Sequence, residues 1–421
     1  MIWVMVVARL FSGLANGLAE EAWQPRGVPA IYRLLESLAA REDVELLTVF
    51  ANKDENGGRF ARGNEFETPP LGRVVILPWA PRNWLAALGL DGKLREATHL
   101  LHCLWLWLRF RPHLVYATNA NFPVAALFSR LGLSRVVLRL LGLHPDQYRV
   151  AESGWGLQRW LYHAPFDHVV CSLDGSGVDY YLPRLIAPEV PRSVLLNGVD
   201  PQLADTQAVA RIAQSHGEDG SPVVLFIGRL EWNKGCREFV EGVLEVLSRR
   251  PESLRAVLVG DGSLHDELAE RIAAAQTEDR VFLAGSIPHG EVVAWLARAD
   301  IYASLNHLGN LSNANLEALA AGKCMIILDA DPQTHTDTET TRLISDDAAL
   351  RIGREEMTGN LARALESLLD EPGKIDSYAA AASRLGKELL QPWDRRIEKE
   401  IDLICHLAQE DKAVPCRSTV L

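Results

Sequence analysis

Short β-branched segments alternate with amphipathic helical segments between residues 223 and 328, and this alternation constrains the fold more than any other feature. Apolar runs of four or five residues predict strands, whereas apolar residues at three- and four-residue spacing predict helices. The predicted strands are 223–227, 254–259, 281–284, 301–304 and 325–328, and the predicted helices are 235–249, 264–275, 291–298 and 313–321. Strands that alternate with helices in this way favour a parallel sheet covered on both faces, so we predict a doubly wound α/β domain.

The first half of the chain shows the same rhythm less regularly. Strands are predicted at 2–7, 44–50, 74–77, 114–117, 136–139, 168–171 and 194–196. A chain of 421 residues with 48% hydrophobic content exceeds one ordinary core, so two Rossmann-like domains are expected. The turn sequence from Asn197 to Pro201 marks the boundary, which gives predicted domains 1–200 and 201–391 and a final helix at 392–409.

The apolar segments and the cysteines predict a cytoplasmic protein. The longest apolar runs, 2–8 and 103–108, are far shorter than the roughly 20 residues that span a bilayer. The segment from Met1 to Leu10 has no basic start and no small-residue cleavage site, so it predicts a buried strand rather than a secretory signal. The six cysteines form no C-x-x-C pair, which fits reduced thiols better than disulfides or a zinc site.

The charge distribution is uneven. A net charge of -12 argues against general nucleic-acid binding. Between residues 82 and 159, however, 10 basic residues stand against 4 acidic ones, and tryptophans stand at positions 84, 105, 107 and 155 within this stretch and at position 160 next to it. Such a mixture suits an anionic acceptor or peripheral contact with the inner face of a membrane. A solvated helix face with core tryptophans is the alternative, and it stays open.

The loop after the strand 223–227 carries two cations, Arg229 and Lys234, between Gly228 and Gly235. Ligands of open α/β sheets bind beyond the carboxyl ends of the strands. An arginine fork, a lysine point charge and the amino end of the next helix together suit a diphosphate. The alternative is an ordinary pair of surface cations at a loop.

Two further strand ends add to this pattern. The sequence Gly260-Asp261-Gly262 predicts a tight turn that brings backbone close to a ligand. Ser312 is a predicted N-cap, after which Asn313 and Glu317 share one helix face while Leu316 belongs to an apolar stripe. A carboxylate at position 317 could accept two hydrogen bonds from a ribose diol, although an exposed helix glutamate is the alternative.

In this order and spacing, these motifs resemble the family-4 retaining glycosyltransferases of the GT-B fold, most clearly from residue 195 to residue 328. The resemblance implies that Arg229 and Lys234 hold a donor diphosphate, that Glu317 binds the ribose, and that the backbone at Gly27 approaches the diphosphate. It also implies that the final helix crosses back onto the first domain. The other predicted donor-binding residues are Gly228, Gly260, Asn310, Asn313 and Leu316.

The sequence departs from the family pattern at position 309. Family members usually carry a second acidic residue eight positions before the ribose-binding one, and here that residue is Gly309. The contact to the donor sugar is therefore expected from Asn306, His307 or Asn310. The usual Gly-Gly after the next strand is replaced by a polar run from residue 329 to residue 339.

A nucleotide diphosphate is a good leaving group, so fixed cations and a helix amino end can promote its departure without a general acid or a metal. The resemblance implies a hexosyltransferase that retains the anomeric configuration. We expect a nucleotide-diphosphate sugar as co-substrate, no cofactor, and a glycan or lipid-linked acceptor, in cell-surface glycan or glycolipid synthesis. His144, after the strand 136–139, is predicted to lie near the sugar, with a structural loop histidine as the alternative.

Two other functions stay open at this point. Asp329 and Asp331 form an Asp-x-Asp triplet after a predicted strand, as in metal-dependent GT-A transferases. Gly309 favours a second alternative, a non-catalytic relative that binds nucleotide sugars without turnover.

Overall fold

The computed structural model describes residues 1–19, 23, 25, 27–53, 60, 62–78, 91–201, 203–216 and 220–410. The chain divides into two compact units. The first unit contains Met1–Ser172, Tyr180–Leu195 and the segment from Trp393 onward, and the second contains Leu173–Asp179 and Leu196–Pro392. Trp84, which belongs to the basic, tryptophan-rich stretch, lies outside the described residues.

The first unit is built on an eight-stranded sheet with the order β3-β4-β2-β1-β5-β6-β7-β8. Its strands are β1 (Ile2–Arg9), β2 (Val44–Ala51), β3 (Asn64–Thr68), β4 (Gly72–Leu77), β5 (Leu114–Thr118), β6 (Arg135–Leu140), β7 (His168–Leu173) and β8 (Arg192–Leu196). The pairing from β4 through β2, β1, β5 and β6 to β7 is parallel. Only the edge strand β3 is antiparallel among the registered pairs. The sequence did not predict β3, because its polar, exposed residues lack the apolar run of a buried strand.

Helices cover this sheet: Ser12–Ala19, Pro29–Ala39, Asp91–Phe110, Phe122–Arg130, Pro145–Glu152, Leu157–Tyr162, Val178–Leu185 and Trp393–Gln409. The last of these lies against β1, β5 and the helix Pro29–Ala39. It buries Trp393, Ile397, Ile401 and Ile404, an apolar stripe at helical spacing. The final helix therefore belongs to the first unit.

A buried polar cluster fixes the same helix to the sheet. Glu400 is nearly inaccessible, and its Oε1 lies 2.6 Å from Arg396 Nη1 and 3.4 Å from Arg139 Nε. The Tyr116 hydroxyl donates a hydrogen bond to the second oxygen of Glu400. Because burial strengthens the attraction of both guanidinium groups, the pKa of Glu400 stays below its ordinary value despite the desolvation that opposes ionisation.

The second unit contains a six-stranded parallel sheet with the order β11-β10-β9-β12-β13-β14. Its strands are β9 (Val223–Ile227), β10 (Arg255–Val259), β11 (Val281–Gly285), β12 (Ile301–Ser304), β13 (Cys324–Leu328) and β14 (Ala349–Ile352). Its helices are Thr206–His216, Cys236–Arg249, His265–Ala274, Val292–Arg298, Asn313–Ala320, Thr338–Leu343, Met357–Asp370 and Pro372–Leu389. The predicted alternation of strands and helices is confirmed here. The sequence did not predict the last strand, β14.

The central strands of this sheet are apolar on both sides because helices cover both faces. Along β9, Phe226 joins the core on one face with Phe239, while Leu225 joins the core on the other face with Tyr302. The register pairs Leu225 with Tyr302, so β9 and β12 lie side by side. Parallel neighbours end at the same edge, and the loops after β9 and β12 therefore start next to each other.

The predicted class, α/β with two Rossmann-like parallel sheets, is confirmed by both units. Within the described residues, no helix combines the length and the apolar character that crossing a bilayer requires.

Candidate nucleotide-sugar site

The loops after β9 and β10 are joined by their backbones. Gly228 N–H donates to Val259 O at 3.0 Å, and Leu230 N–H donates to Asp261 O at 3.0 Å. Gly260 has a φ of +137°, and a Cβ atom there would lie 1.8 Å from Gly228 O. Position 260 therefore admits only glycine, because both the backbone angle and the close approach exclude a side chain.

This junction presents the two predicted cations. The Arg229 side chain is exposed and Lys234 is half-buried. Within the described part of the chain, no carboxylate lies within ion-pair distance of either group. Burial and the positive charge of Arg229 lower the pKa of Lys234, while Asp174 opposes the shift. Two neighbouring cations without an ion-pair partner form a ready site for an anion with more than one negative charge.

The segment after β12 forms the next part of the site. His307 N–H donates to Asn233 O at 3.0 Å, which joins this segment to the loop that carries Lys234. Ser312 caps the helix Asn313–Ala320 by accepting from the N–H of Asn315, as predicted. The cap fixes the start of the helix that carries Glu317.

Glu317 is a shielded carboxylate, with 17% of its side chain exposed. Burial, and then the negative charge of Asp200, raise its pKa to about 7. His289 Nε2 lies 3.5 Å from its Oε1. The sequence did not indicate a role for Asp200 or His289, because their proximity to Glu317 depends on separate loops that no local pattern relates.

Two predicted donor-binding side chains do not fit that role. Leu316 is fully buried in the core, so its side chain packs against the sheet. Asn310 is also fully buried, and its amide donates to Asp337 Oδ2 at 2.7 Å and to Leu328 O at 3.4 Å. Asn313 is partly accessible, but its Oδ1 accepts a hydrogen bond from Asn197 at 2.7 Å.

Gly309 lies against another segment of the second unit. Its φ is +136°, and a Cβ atom at this position would lie 2.4 Å from Asp174 O. The amide of nearby Asn306 donates to Gly309 O at 2.5 Å and is buried. His307 is half-buried, with its ring at an angle to Trp232. The side-chain amides of Asn306 and Asn310 are therefore not available to contact a sugar, because both are buried and hydrogen-bonded within the protein.

Two of the predicted site residues, Gly27 and His144, lie in the first unit. Gly27 has a φ of +98° and open space around its Cα, just before the helix Pro29–Ala39. His144 precedes the helix Pro145–Glu152, and its N–H donates to Gln147 Oε1 at 2.9 Å. Its imidazole is 64% exposed and lies 3.7 Å from Asp146. Their functional roles stay predictions.

The Asp-x-Asp alternative does not agree with the fold, which has two mainly parallel sheets in two separate units. Asp329 Oδ1 accepts from Ala330 N–H, and Asp331 accepts from Gln333 N–H and Thr334 Oγ1. Both residues lie in turns at the rim of an open cavity of about 870 Å³. In the part of the chain that the structure describes, no group of three or more His, Cys, Asp or Glu side chains could hold a metal ion.

Comparison with known proteins relates a segment of the second unit to a family of enzymes. Residues 221–371 match the family described as glycosyl transferases group 1. The match covers about a third of the chain, and all of it lies within the second unit. The matched segment contains the loop with Arg229 and Lys234, the Gly260 turn and Glu317, whereas Gly27 lies outside it.

Curated relatives and solved structures extend this similarity. Alpha-D-kanosaminyltransferase of Streptomyces kanamyceticus is 27% identical over 203 residues, which are 48% of this chain and 50% of that protein. The chain thus spans about half the length of the curated relatives that it matches first. HepE of Anabaena in complex with UDP superposes with a TM-score of 0.67 at 17% identity, over 96% of this chain and 100% of that one. Sucrose-phosphate synthase of Thermosynechococcus elongatus gives 0.70 at 14% identity, over 97% and 99%. The fold is GT-B, as predicted.

Proposed function

We propose that this protein is a retaining glycosyltransferase that moves a sugar from a nucleotide-diphosphate donor to an acceptor hydroxyl. One observation carries the proposal: two cations without an ion-pair partner lie on the loop after β9, and a shielded carboxylate lies on the helix after the neighbouring strand β12, at the same edge of one sheet. A diphosphate and a ribose diol are the ligand groups that complement these charges. The similar Streptomyces protein is named as a kanosaminyltransferase, and HepE was crystallised with UDP.

The chemistry follows from the leaving group. As the bond between the anomeric carbon and the diphosphate oxygen breaks, negative charge accumulates on the diphosphate. Arg229 and Lys234 would stabilise that charge, and their fixed loop removes the need to reorganise during the reaction. Glu317 in its ionised form would accept hydrogen bonds from the ribose hydroxyls and hold the nucleotide in register. We further propose that the reaction needs no metal and retains the anomeric configuration.

A specific observation favours one alternative, a binding protein without turnover. The geometry at Gly309 excludes a carboxylate from the position where family members usually carry one. Such a protein would bind the nucleotide sugar tightly and release no nucleotide.

Release of UDP from UDP-glucose by the purified full chain tests the proposal, preceded by a thermal-shift screen of nucleotide sugars to choose the donor. Turnover should fall at least about 100-fold in Lys234→Ala, because one donor to the developing charge is removed. Lys387→Ala, an exposed lysine of the helix Pro372–Leu389, should match the wild type. Tight binding without release would establish the alternative, and absence of binding to any nucleotide sugar would refute both.

The acceptor is proposed to be displayed at an anionic membrane surface. The helix Asp91–Phe110 exposes Leu101, Trp105 and Leu108, with 66%, 51% and 54% of each residue accessible. These positions share one helix face. The Arg109 guanidinium lies 5.5 Å from the Trp105 ring centroid, so a cation accompanies the apolar face. Apolar and aromatic residues flanked by arginine are typical of helices that bind lipid headgroups.

A second group of exposed aromatic residues lies on and just before a neighbouring helix of the first unit. The helices Asp91–Phe110 and Leu157–Tyr162 both contact the helix Phe122–Arg130. Trp155 is 91% exposed, and Arg130 lies 3.8 Å from the ring centroid of half-exposed Trp160. These residues would extend the same membrane-facing surface.

Sedimentation with vesicles that contain phosphatidylglycerol tests the membrane contact. The double variant Arg109→Glu, Arg111→Glu should lose most of its bound fraction. Arg363→Glu, Lys387→Glu makes the same change of charge on exposed helices of the second unit and should bind like the wild type. Equal binding of both double variants would refute the assignment of this surface.

A further inference from the structure

The segment from Leu173 to Asp179, here called the strap, belongs to the second unit although it follows β7 of the first. Three hydrogen bonds fix it within the second unit. Leu311 N–H donates to Asp174 O at 3.1 Å, Asp337 N–H donates to Gly175 O at 2.7 Å, and Asp179 N–H donates to Glu339 Oε1 at 2.7 Å. The strap is therefore held at Asp174, at Gly175 and at its C-terminal end by segments that follow β12 and β13.

The carboxylate of Asp174 has one oxygen in use and one available. Oδ1 accepts hydrogen bonds from the N–H and the hydroxyl of Ser176. Within the described residues, Oδ2 accepts none, and the residue retains partial exposure. Ser176 thus fixes the orientation of the carboxylate and leaves its second oxygen for a ligand.

Asp174 lies close enough to Lys234 for their charges to interact, although no ion pair forms. Burial raises the pKa of Asp174 to about 7, and the hydrogen bonds from Ser176 oppose the rise. A bound diphosphate would satisfy the positive charge of Lys234 and leave the carboxylate beside the sugar end of the donor. A sugar hydroxyl can donate a hydrogen bond to the carboxyl group of Asp174 in either protonation state. The ionised state accepts the stronger hydrogen bond.

The strap also explains why position 309 is glycine. The Asp174 carbonyl and the Gly175 backbone occupy the space into which a side chain at position 309 would extend. The peptide that excludes a carboxylate at position 309 thus belongs to the residue that brings another carboxylate to the same edge of the sheet.

We propose that Asp174 binds the donor sugar, accepting a hydrogen bond from one of its hydroxyl groups through Oδ2 while Lys234 contacts the diphosphate. This rests on the proposed function of the site and adds a specificity: the donor is a sugar with a free hydroxyl within reach of Asp174, and not one deoxygenated or acylated at that carbon. The geometry of the strap, and not the sequence around β12, supplies this contact.

Calorimetric titration of Asp174→Asn with UDP and with UDP-glucose tests the proposal. Affinity for UDP should stay within about twofold of wild type, which also shows that the variant folds. Affinity for UDP-glucose should fall about 10- to 100-fold, the cost of losing a hydrogen bond to a charged group. Asp179→Asn is the matched control, because Asp179 lies on the same strap but is exposed and pairs with Arg342. It should bind both probes like the wild type.

A series of singly deoxygenated UDP-glucose analogues gives a second measurement that does not depend on the variant. One analogue should bind the wild type as weakly as UDP-glucose binds Asp174→Asn, and that analogue should lose nothing further in the variant. Equal affinity of the wild type for all analogues, or an unchanged UDP-glucose affinity in Asp174→Asn, would overturn the proposal while leaving the proposed function intact. Failure of the wild type to bind any nucleotide or nucleotide sugar would instead overturn the proposed function, and this inference with it.

Discussion

Replacing Glu317 with glutamine should stabilise the protein at alkaline pH and abolish its affinity for nucleotides. The rise in the pKa of Glu317 from its ordinary value of 4.5 to about 7 means that folding opposes ionisation of this group. Each tenfold change in proton affinity corresponds to about 1.4 kcal/mol, so the difference amounts to about 3 kcal/mol. This value is an upper bound, because 17% of the side chain remains exposed.

The sign follows from proton binding. Below pH 4.5, the carboxyl group is protonated in both the folded and the unfolded state, and the substitution changes little. As pH rises from 4.5 to 7, the unfolded state releases the proton while the folded state keeps it, so wild-type stability falls. Above pH 7 the loss is complete. Glutamine removes the titration, and the variant should gain most at pH 8 and least near pH 4.5.

The assay is thermal unfolding at pH 5 and pH 8. About 3 kcal/mol corresponds to a rise of about 6 to 12 °C for a unit of this size. Glu270→Gln, on the exposed side of the helix His265–Ala274, should melt like the wild type at both pH values. The variant Glu317→Gln should also fail to bind UDP, because the ionised acceptor for the ribose hydroxyls is gone. An equal gain at both pH values, or none, would refute the argument that burial of the carboxylate costs stability.

Two further substitutions test the packing. Glu400→Gln leaves two buried guanidinium groups without their carboxylate and should reduce the free energy of unfolding by about 3 to 5 kcal/mol in urea titrations; a loss no larger than that of exposed Glu398→Gln would contradict the buried network. Gly309→Glu, which introduces the usual family carboxylate, should reduce the free energy of unfolding by at least about 2 kcal/mol and should not raise turnover, because its Cβ would overlap the Asp174 carbonyl. Higher activity in this variant would contradict this prediction, because it would mean that the strap moves to make room for a side chain at position 309.

Local patterns were sufficient for most elements of both sheets. Strands β9 and β12 have the bounds that their apolar runs predicted, and the final helix differs from its predicted range by one residue. Periodicity determines these elements because a buried strand or an amphipathic helix needs a particular apolar spacing wherever it packs. Strands β3 and β14 escaped prediction, since each is short and lies at a sheet edge where burial imposes less pattern.

The candidate site divides in the same way. Arg229, Lys234 and Glu317 were predictable because they follow strands at family spacings, and parallel strands bring such positions to one edge. The sequence by itself could not reveal that the Asn310 amide donates a hydrogen bond to Asp337, since the two residues lie 27 positions apart. Nor could it reveal that Asp174, some 60 residues before Lys234, joins the second unit. Side-chain burial and proximity between distant segments are properties of the packed chain, because they depend on which loops meet after the sheets have formed. The sequence determined the sheets and the charged loops, whereas the tertiary structure alone decided which carboxylates are shielded from solvent and which segments lie beside them.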